Sequence, residues 1–171
     1  MKISKNYNMT IKASYVGYVT QAIVCNFAPL LYVSFNRDFG LSLSQISAVS
    51  AINFFIQLVV DGLSTKFVDR IGYRISVVAA HAFAAAGLVA LGVLPYIMPP
   101  FTGILIAILI YGSGSGLIEV LVSPIVEACP TSRKEAAMSL LHSFYCWGQA
   151  AVILVSTAFF AAFGVENWRN M

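Results

Sequence analysis

Five long apolar runs dominate the sequence, and they restrict the possible folds more than any other feature. They cover about residues 13–34, 45–66, 75–95, 102–125 and 138–163, separated by short joints that are polar or marked by Pro and Gly. Each run has the roughly 20 mostly apolar residues that an α-helix needs to cross a bilayer, where a helix satisfies its own backbone. The sequence therefore predicts an all-α membrane protein with five transmembrane helices, and the short joints make neighbouring spans antiparallel.

The composition agrees with a chain that is solvated by lipid. Hydrophobic residues make up 59% of the 171 residues and charged residues 10%, whereas a soluble domain has about 25% charged residues. The net charge of +3, without a basic cluster that includes aromatic residues, argues against a nucleic-acid partner. The first run is too long for a signal peptide and is followed by further runs. We therefore expect the lipid bilayer as a partner and a location in the plasma or inner membrane of the cell.

Lysine and arginine are unevenly distributed between the two sides of the predicted spans. The N-terminus and the joints after the second and fourth runs carry eight of them, against two, Arg37 and Arg169, on the other side. The eight residues of the first group are Lys2, Lys5, Lys12, Lys66, Arg70, Arg74, Arg133 and Lys134. Because Lys and Arg concentrate in cytoplasmic loops, this asymmetry predicts a cytoplasmic N-terminus.

One carboxylate, Glu119, lies near the middle of the fourth run, in the stretch Tyr111–Pro124 (YGSGSGLIEVLVSP). A lone carboxylate in hydrocarbon is costly, so it is seldom kept there without a function. Removal from water favours the neutral form of a carboxyl group, so Glu119 could take up and release a proton during a cycle. The alternative is a protonated or paired Glu119 that only fixes helix packing.

Polar side chains recur at helical spacing on four of the five predicted spans, and the third span is the exception. On the second span, Asn53, Gln57 and Asp61 are four residues apart and therefore share one face. A water-filled cavity between the four spans explains the pattern. The alternative is that these side chains only form hydrogen bonds between helices, each of which contributes about 0.6 kcal/mol of stability. The residues that we expect to line a solute or proton pathway are Glu119, Gln21, Asn53, Gln57, His142, Tyr145 and Gln149.

The sequence contains no catalytic or metal-binding pattern. HExxH and GxSxG are absent, and the two histidines and three cysteines lack the spacing of a metal site. Gly112, Gly114 and Gly116 lie inside an apolar run without a preceding strand, so they favour close helix packing over a nucleotide-binding loop. We therefore predict that the protein is not an enzyme and has no cofactor and no metal ion.

The joint DGLSTKFVDRIGYR, between the second and third spans, resembles the corresponding loop of the major facilitator superfamily. Asp69, Arg70, Gly72 and Arg74 match the signature of that loop. The resemblance implies a cytoplasmic gate in which charge contacts with neighbouring helix ends help to control switching. Asp61, which we also assign to the gate, lies about one turn inside the same edge. It could pair with a basic residue of the joint or of another helix, or contact a solute directly.

A second resemblance is to the fucose permease-like branch of sugar:proton symporters, whose fourth helix carries a Gly-x-x-Glu-x-x-x-Asn-Pro pattern. Residues 116–124 are similar, with Ser123 at the Asn position, and SLLHSFYCWGQA is similar to the fifth helix of that branch. This resemblance implies that Glu119 takes part in proton coupling or sugar binding. The first-helix carboxylate of the branch would fall near Ala28 and Pro29, where this chain has no acid, so a facilitator or a different solute remains an alternative.

The resemblance extends along nearly the whole chain and covers the first five of the twelve helices of that family. It implies that residues 1–171 form a partial N-terminal transmembrane bundle of an incomplete twelve-helix transporter, with the missing C-terminal helices as its partner. Such a protein is a secondary transporter that moves a small polar solute, for instance a sugar, by alternating access coupled to protons. The alternative is a non-transporting membrane scaffold or accessory subunit, for which five spans could be complete.

Overall fold

The computed structural model describes residues 7–170, apart from the side chain of Thr65, so Lys2 and Lys5 lie outside it. This part of the chain is all-α, as predicted. Of its helices, α3 to α6 are each long and apolar enough to cross a membrane, and α1 with α2 forms a fifth candidate span that is bent by 42°. The helices are α1 (Tyr7–Leu30), α2 (Tyr32–Phe39), α3 (Leu43–Ile71), α4 (Tyr73–Ile97), α5 (Pro100–Ala128) and α6 (Lys134–Phe163), followed by a 3-10 helix (Val165–Asn170).

The first predicted span, residues 13–34, is not one continuous helix, and this corrects the prediction. Pro29 lies in the last turn of α1. It has no N–H to donate and its ring displaces the carbonyl of the preceding turn, which accounts for the bend. Helix α2 then continues through the segment that the sequence assigned to a polar joint, because Phe35 is fully buried there and packs edge-on against Trp168 at a centroid distance of 6.0 Å.

The joints on either side of α3 are short and locally determined. Ser42 precedes α3 and forms a capping box with Gln45: the Ser42 hydroxyl accepts from the Gln45 N–H at 3.2 Å, and the Gln45 side-chain oxygen accepts from the Ser42 N–H at 2.9 Å. At the other end, Gly72 alone separates α3 from α4. Its φ of 90° and ψ of 146° are accessible to glycine but strained for other residues, so this position determines where the chain reverses.

Helix α5 is the centre of the bundle and contacts α1, α3, α4 and α6. In its most apolar window 61% of the residues are buried, against 17 to 22% in α3, α4 and α6. Glycines make this packing possible. Gly114 faces α4: a Cβ there would lie 2.5 Å from the backbone N of Ala84 and 2.6 Å from the backbone O of Ala80. Gly116 faces α3, where a Cβ would lie 3.2 Å from the Cα of Gln57. The prediction that these small residues permit close helix approach is therefore confirmed.

An aromatic cluster joins α2, α4 and the 3-10 helix at the end of the bundle opposite the α3–α4 joint. Trp168 is buried and stacks on Tyr96 at a centroid distance of 6.5 Å, in addition to its contact with Phe35. The guanidinium of Arg169 lies 4.0 Å from the centre of the Tyr96 ring, and its Nε donates to the backbone O of Gly92 at 3.0 Å. The cation–π contact and the hydrogen bond hold the residues after α6 against α4.

Candidate functional site

A polar cleft with a volume of ≈ 420 Å³ lies between α1, α2, α3, α5 and α6. Helix α4, the third predicted span, contributes none of the residues that line it, in agreement with the sequence pattern. The lining residues come from the polar faces of the other helices and include several aromatic rings. They are Gln21, Cys25, Asn26, Pro29, Tyr32, Ser50, Asn53, Phe54, Gln57, Tyr111, Glu119 and Tyr145.

Glu119 lies on the cleft side of α5, where it is exposed and faces the polar side of the bundle. Gln21 from α1 donates a hydrogen bond from its Nε2 to Oε2 of Glu119 at 2.9 Å. The Gln21 side chain is only 3% exposed, so the packing of α1 against α5 holds the amide in place. A carboxylate in a membrane span is thus held by a buried amide of another helix, inside a polar cleft.

Two further side-chain contacts join α1 to α5, one turn to either side of this pair. The thiol of Cys25 lies 3.0 Å from the hydroxyl of Ser115, and the hydroxyl of Tyr18 lies 2.9 Å from that of Ser123. Ser115 and Ser123 of α5 thus both contact side chains of α1. The three contacts together form an antiparallel ladder that aligns the polar faces of the two helices.

The polar face of α3 forms the opposite wall of the cleft. A Cβ on Gly112 would contact Asn53 and one on Gly116 would contact Gln57, so α3 and α5 run parallel and in register. Asn53 and Gln57 line the cleft. Asp61, one turn further along α3, is half-buried; its Oδ1 atom is buried and has no hydrogen-bond partner within residues 7–170.

The predicted residues of α6 do not all reach the cleft. Tyr145 lines it, while His142 and Gln149 are not among its lining residues. The ring of His142 packs instead beside Tyr18, with a centroid distance of 5.7 Å. The structure therefore brings Gln21, Asn53, Gln57 and Tyr145 together with Glu119, and places His142 and Gln149 outside this group.

Seven lining residues were not among those that the sequence analysis predicted: Cys25, Asn26, Pro29, Tyr32, Ser50, Phe54 and Tyr111. The hydroxyls of Tyr32 and Ser50 lie 2.6 Å apart, which links α2 to α3 across the cleft. Ser50 could have been found from its spacing of three and seven residues to Asn53 and Gln57 on the same helix face. Tyr32 could not, because it reaches the cleft only through the break that follows α1.

The residues of the predicted gate surround the α3–α4 joint without pairing with one another. Gly72 makes the joint itself, and the three charged members are exposed. Within residues 7–170 the structure shows one ion pair, between Arg37 and Asp38 at 2.7 Å, at the other end of the bundle. The charge contacts that the family resemblance implies for Asp69, Arg70 and Arg74 are therefore not formed between described residues.

Within residues 7–170, Asp61 forms no ion pair with a basic residue of the joint. Lys66 and Arg70 follow it by five and nine positions on α3, whereas residues that meet on a helix face are three or four positions apart. Both basic side chains are exposed, and Asp61 is directed into the bundle.

In the described part of the chain, no group of three or more His, Cys, Asp and Glu side chains could hold a metal ion.

A bundle of candidate spans around a polar cleft with an intramembrane carboxylate defines a multi-pass membrane protein of the transporter class. The sequence model of the Major Facilitator Superfamily matches residues 15–171. The chain therefore belongs to this superfamily, whose members are secondary transporters and not enzymes. No curated protein and no solved structure matches the chain significantly.

Proposed function

We propose that this protein is the N-terminal portion of a transporter that binds a small polar solute in the cleft and moves it by alternating access. The observation that carries the proposal is Glu119, an intramembrane carboxylate that the buried amide of Gln21 holds inside a polar cleft. An ionisable side chain in a membrane span almost always faces a bundle interior or a water-filled cavity and lies on a solute or ion path. Helix packing alone would not require an exposed carboxylate.

Within this proposal, Glu119 is the coupling or binding group. Its Oε2 atom accepts from Gln21, and no other described side chain binds the carboxylate. A proton or a hydrogen-bond donor of the solute can therefore reach it from the cleft. The amides of Asn53 and Gln57 and the hydroxyl of Tyr145 supply further polar contacts, which suit a hydroxylated solute such as a sugar, with protons as the coupled ion.

The cleft needs a cover within the membrane, because a carboxylate exposed at bilayer depth must meet water or protein and not acyl chains. We propose that further helices of the same transporter provide it, since carriers of this superfamily place their site between two halves. The exposed Lys12, Lys66 and Arg133 all support a cytoplasmic N-terminus in the plasma or inner membrane. Asp69, Arg70 and Arg74 would then form the cytoplasmic gate by contacts with that second half.

Uptake into proteoliposomes that contain the full-length parent transporter tests the role of Glu119. Replacement by Gln keeps the shape of the side chain but removes its charge and its proton exchange. Loss of a hydrogen bond to a charged group is expected to lower uptake by about 10- to 100-fold and to flatten its dependence on pH. Glu127→Gln is the matched control, because Glu127 is an exposed carboxylate of the same helix that does not line the cleft.

The outcomes separate the proposal from its alternative. Unchanged uptake and unchanged pH dependence in Glu119→Gln would remove this residue from the mechanism. Whole wild-type protein, with its further helices, that folds but takes up no solute would favour a membrane scaffold or accessory subunit.

A further inference from the structure

Three buried oxygen atoms on the polar faces of α1 and α3 lack a hydrogen-bond donor. They are Gln21 Oε1, Asn53 Oδ1 and Asp61 Oδ1, none of which has a partner within residues 7–170. The orientation of the Gln21 amide follows from its contact with Glu119, because an ionised carboxylate can only accept the bond that Nε2 donates. A buried acceptor without a donor is destabilising by about 1–3 kcal/mol. Gln21 and Asn53 line the cleft, and the exposed carboxylate of Glu119 beside them also accepts hydrogen bonds, so the cleft favours a solute that supplies O–H or N–H groups.

The charges around the cleft are negative and uncompensated. Because α3 and α5 run parallel in the register set by Gly116 and Gln57, Asp61 lies about level with Glu119, one turn further along. None of the residues that line the cleft is Lys, Arg or His. An ionised Glu119 in the cleft and an ionised Asp61 near it, with no basic side chain in the lining, attract cations and repel anions. The rings of Tyr32, Phe54 and Tyr145 add faces that also attract positive charge.

We propose that the cleft selects solutes that donate hydrogen bonds and carry no negative charge, which means polyols or amines, and that it rejects anions. This inference rests on the proposed function, because it takes the cleft as the solute site. Gln21 and Glu119 act together in this selection. Glu119 supplies the negative charge, and the nearly buried Gln21 holds it in place with the hydrogen bond from its Nε2 atom.

Cys25 provides a native probe of the cleft, since it is part of the lining and is not fully buried. Protein with Cys129→Ser and Cys146→Ser retains only this thiol. It is treated with three methanethiosulfonates of similar size that carry an ammonium, a hydroxyl or a sulfonate group. In each reaction the Cys25 thiolate attacks the sulfenyl sulfur, forms a mixed disulfide and releases methanesulfinate, so the rates report how each group enters the cleft.

Relative to their rates with free cysteine, we expect the ammonium and hydroxyl reagents to react with Cys25 at least about tenfold faster than the sulfonate. Glu119→Gln should bring this ratio towards that of free cysteine, and Asp61→Asn serves as a second variant if the first does not fold. Glu127→Gln should leave the ratio unchanged. A sulfonate rate that equals or exceeds the other two, or a Cys25 that none of the reagents modifies, would overturn the inference.

Uptake by proteoliposomes that contain the full-length parent transporter distinguishes this inference from the proposed function. The probes are a hexose, its hexosamine and its hexuronate, which differ in charge on one carbon skeleton. A labelling bias without uptake of any probe leaves the charge selection standing and counts against transport of such solutes. Uptake of the hexuronate alone supports transport and overturns the selection, and a preference between the hexose and the hexosamine separates polyols from amines.

Discussion

Replacing Gly114 by Ala tests the close approach of α4 to α5, the helix that carries Glu119. The new Cβ would lie 2.5 Å from a backbone N and 2.6 Å from a backbone O of α4, whereas ordinary contacts begin at 3.4 Å, so the helices must separate by about 0.9 Å. Because both obstructing atoms belong to the backbone, no side-chain rotation can make room. Overpacking of this kind is destabilising by about 1–3 kcal/mol.

Gly92→Ala is the matched control for this change, since nothing lies within 4 Å of the position that its Cβ would take. Both substitutions raise helix propensity by up to about 1 kcal/mol, so that gain cancels in the comparison. We therefore expect Gly114→Ala to be less stable than Gly92→Ala by about 1–3 kcal/mol, measured by titrating micellar protein with a denaturing detergent and following circular dichroism. Equal stabilities would show that α4 and α5 do not approach as closely as described.

Three further changes test other parts of the structure. Gly72→Ala should be destabilising by about 1–3 kcal/mol, because the conformation of this residue is strained for any side chain. Gly40→Asn is the control and should be tolerated, because φ 64° and ψ 24° are accessible to Asn. Equal losses of stability in thermal unfolding of the two variants would refute the distinction. Trp168→Ala should be destabilising by about 3–5 kcal/mol in the same detergent titration, because the ring is buried; a loss below about 1 kcal/mol would mean that the aromatic cluster contributes little. Burial raises the pKa of the Cys129 thiol, so its thiolate is scarce at neutral pH. Maleimide should therefore modify Cys129 slowly at neutral pH and faster as the pH rises. A modification rate at neutral pH equal to that of free cysteine would contradict the raised pKa.

The spans and their polar faces could be predicted because both follow from periodicity along one chain. The contacts between helices could not, since they depend on rotation and register that no single run records. The sequence indicates that Gly114 permits close approach, but only the structure shows that the neighbour is α4. Similarly, Gln21 and Glu119 are each recognisable as polar residues in apolar runs, while their hydrogen bond depends on how α1 and α5 align. The break after Pro29 was missed because hydropathy does not show that the polar segment after it buries Phe35.

The position of Gln21 bears on the absence of an acid near Ala28 and Pro29, where the fucose permease-like branch has one. Ala28 is 2% exposed and packs in the apolar core, so an acid there would be buried without a partner. The residue of α1 that meets Glu119 is Gln21 instead. Its amide can serve Glu119 in either protonation state, because Nε2 donates to a carboxylate and, after rotation of the amide, Oε1 accepts from a carboxylic acid. Under the proposed function, the link between α1 and α5 can therefore persist while Glu119 exchanges a proton, and that proposal does not require a second acid on the first span.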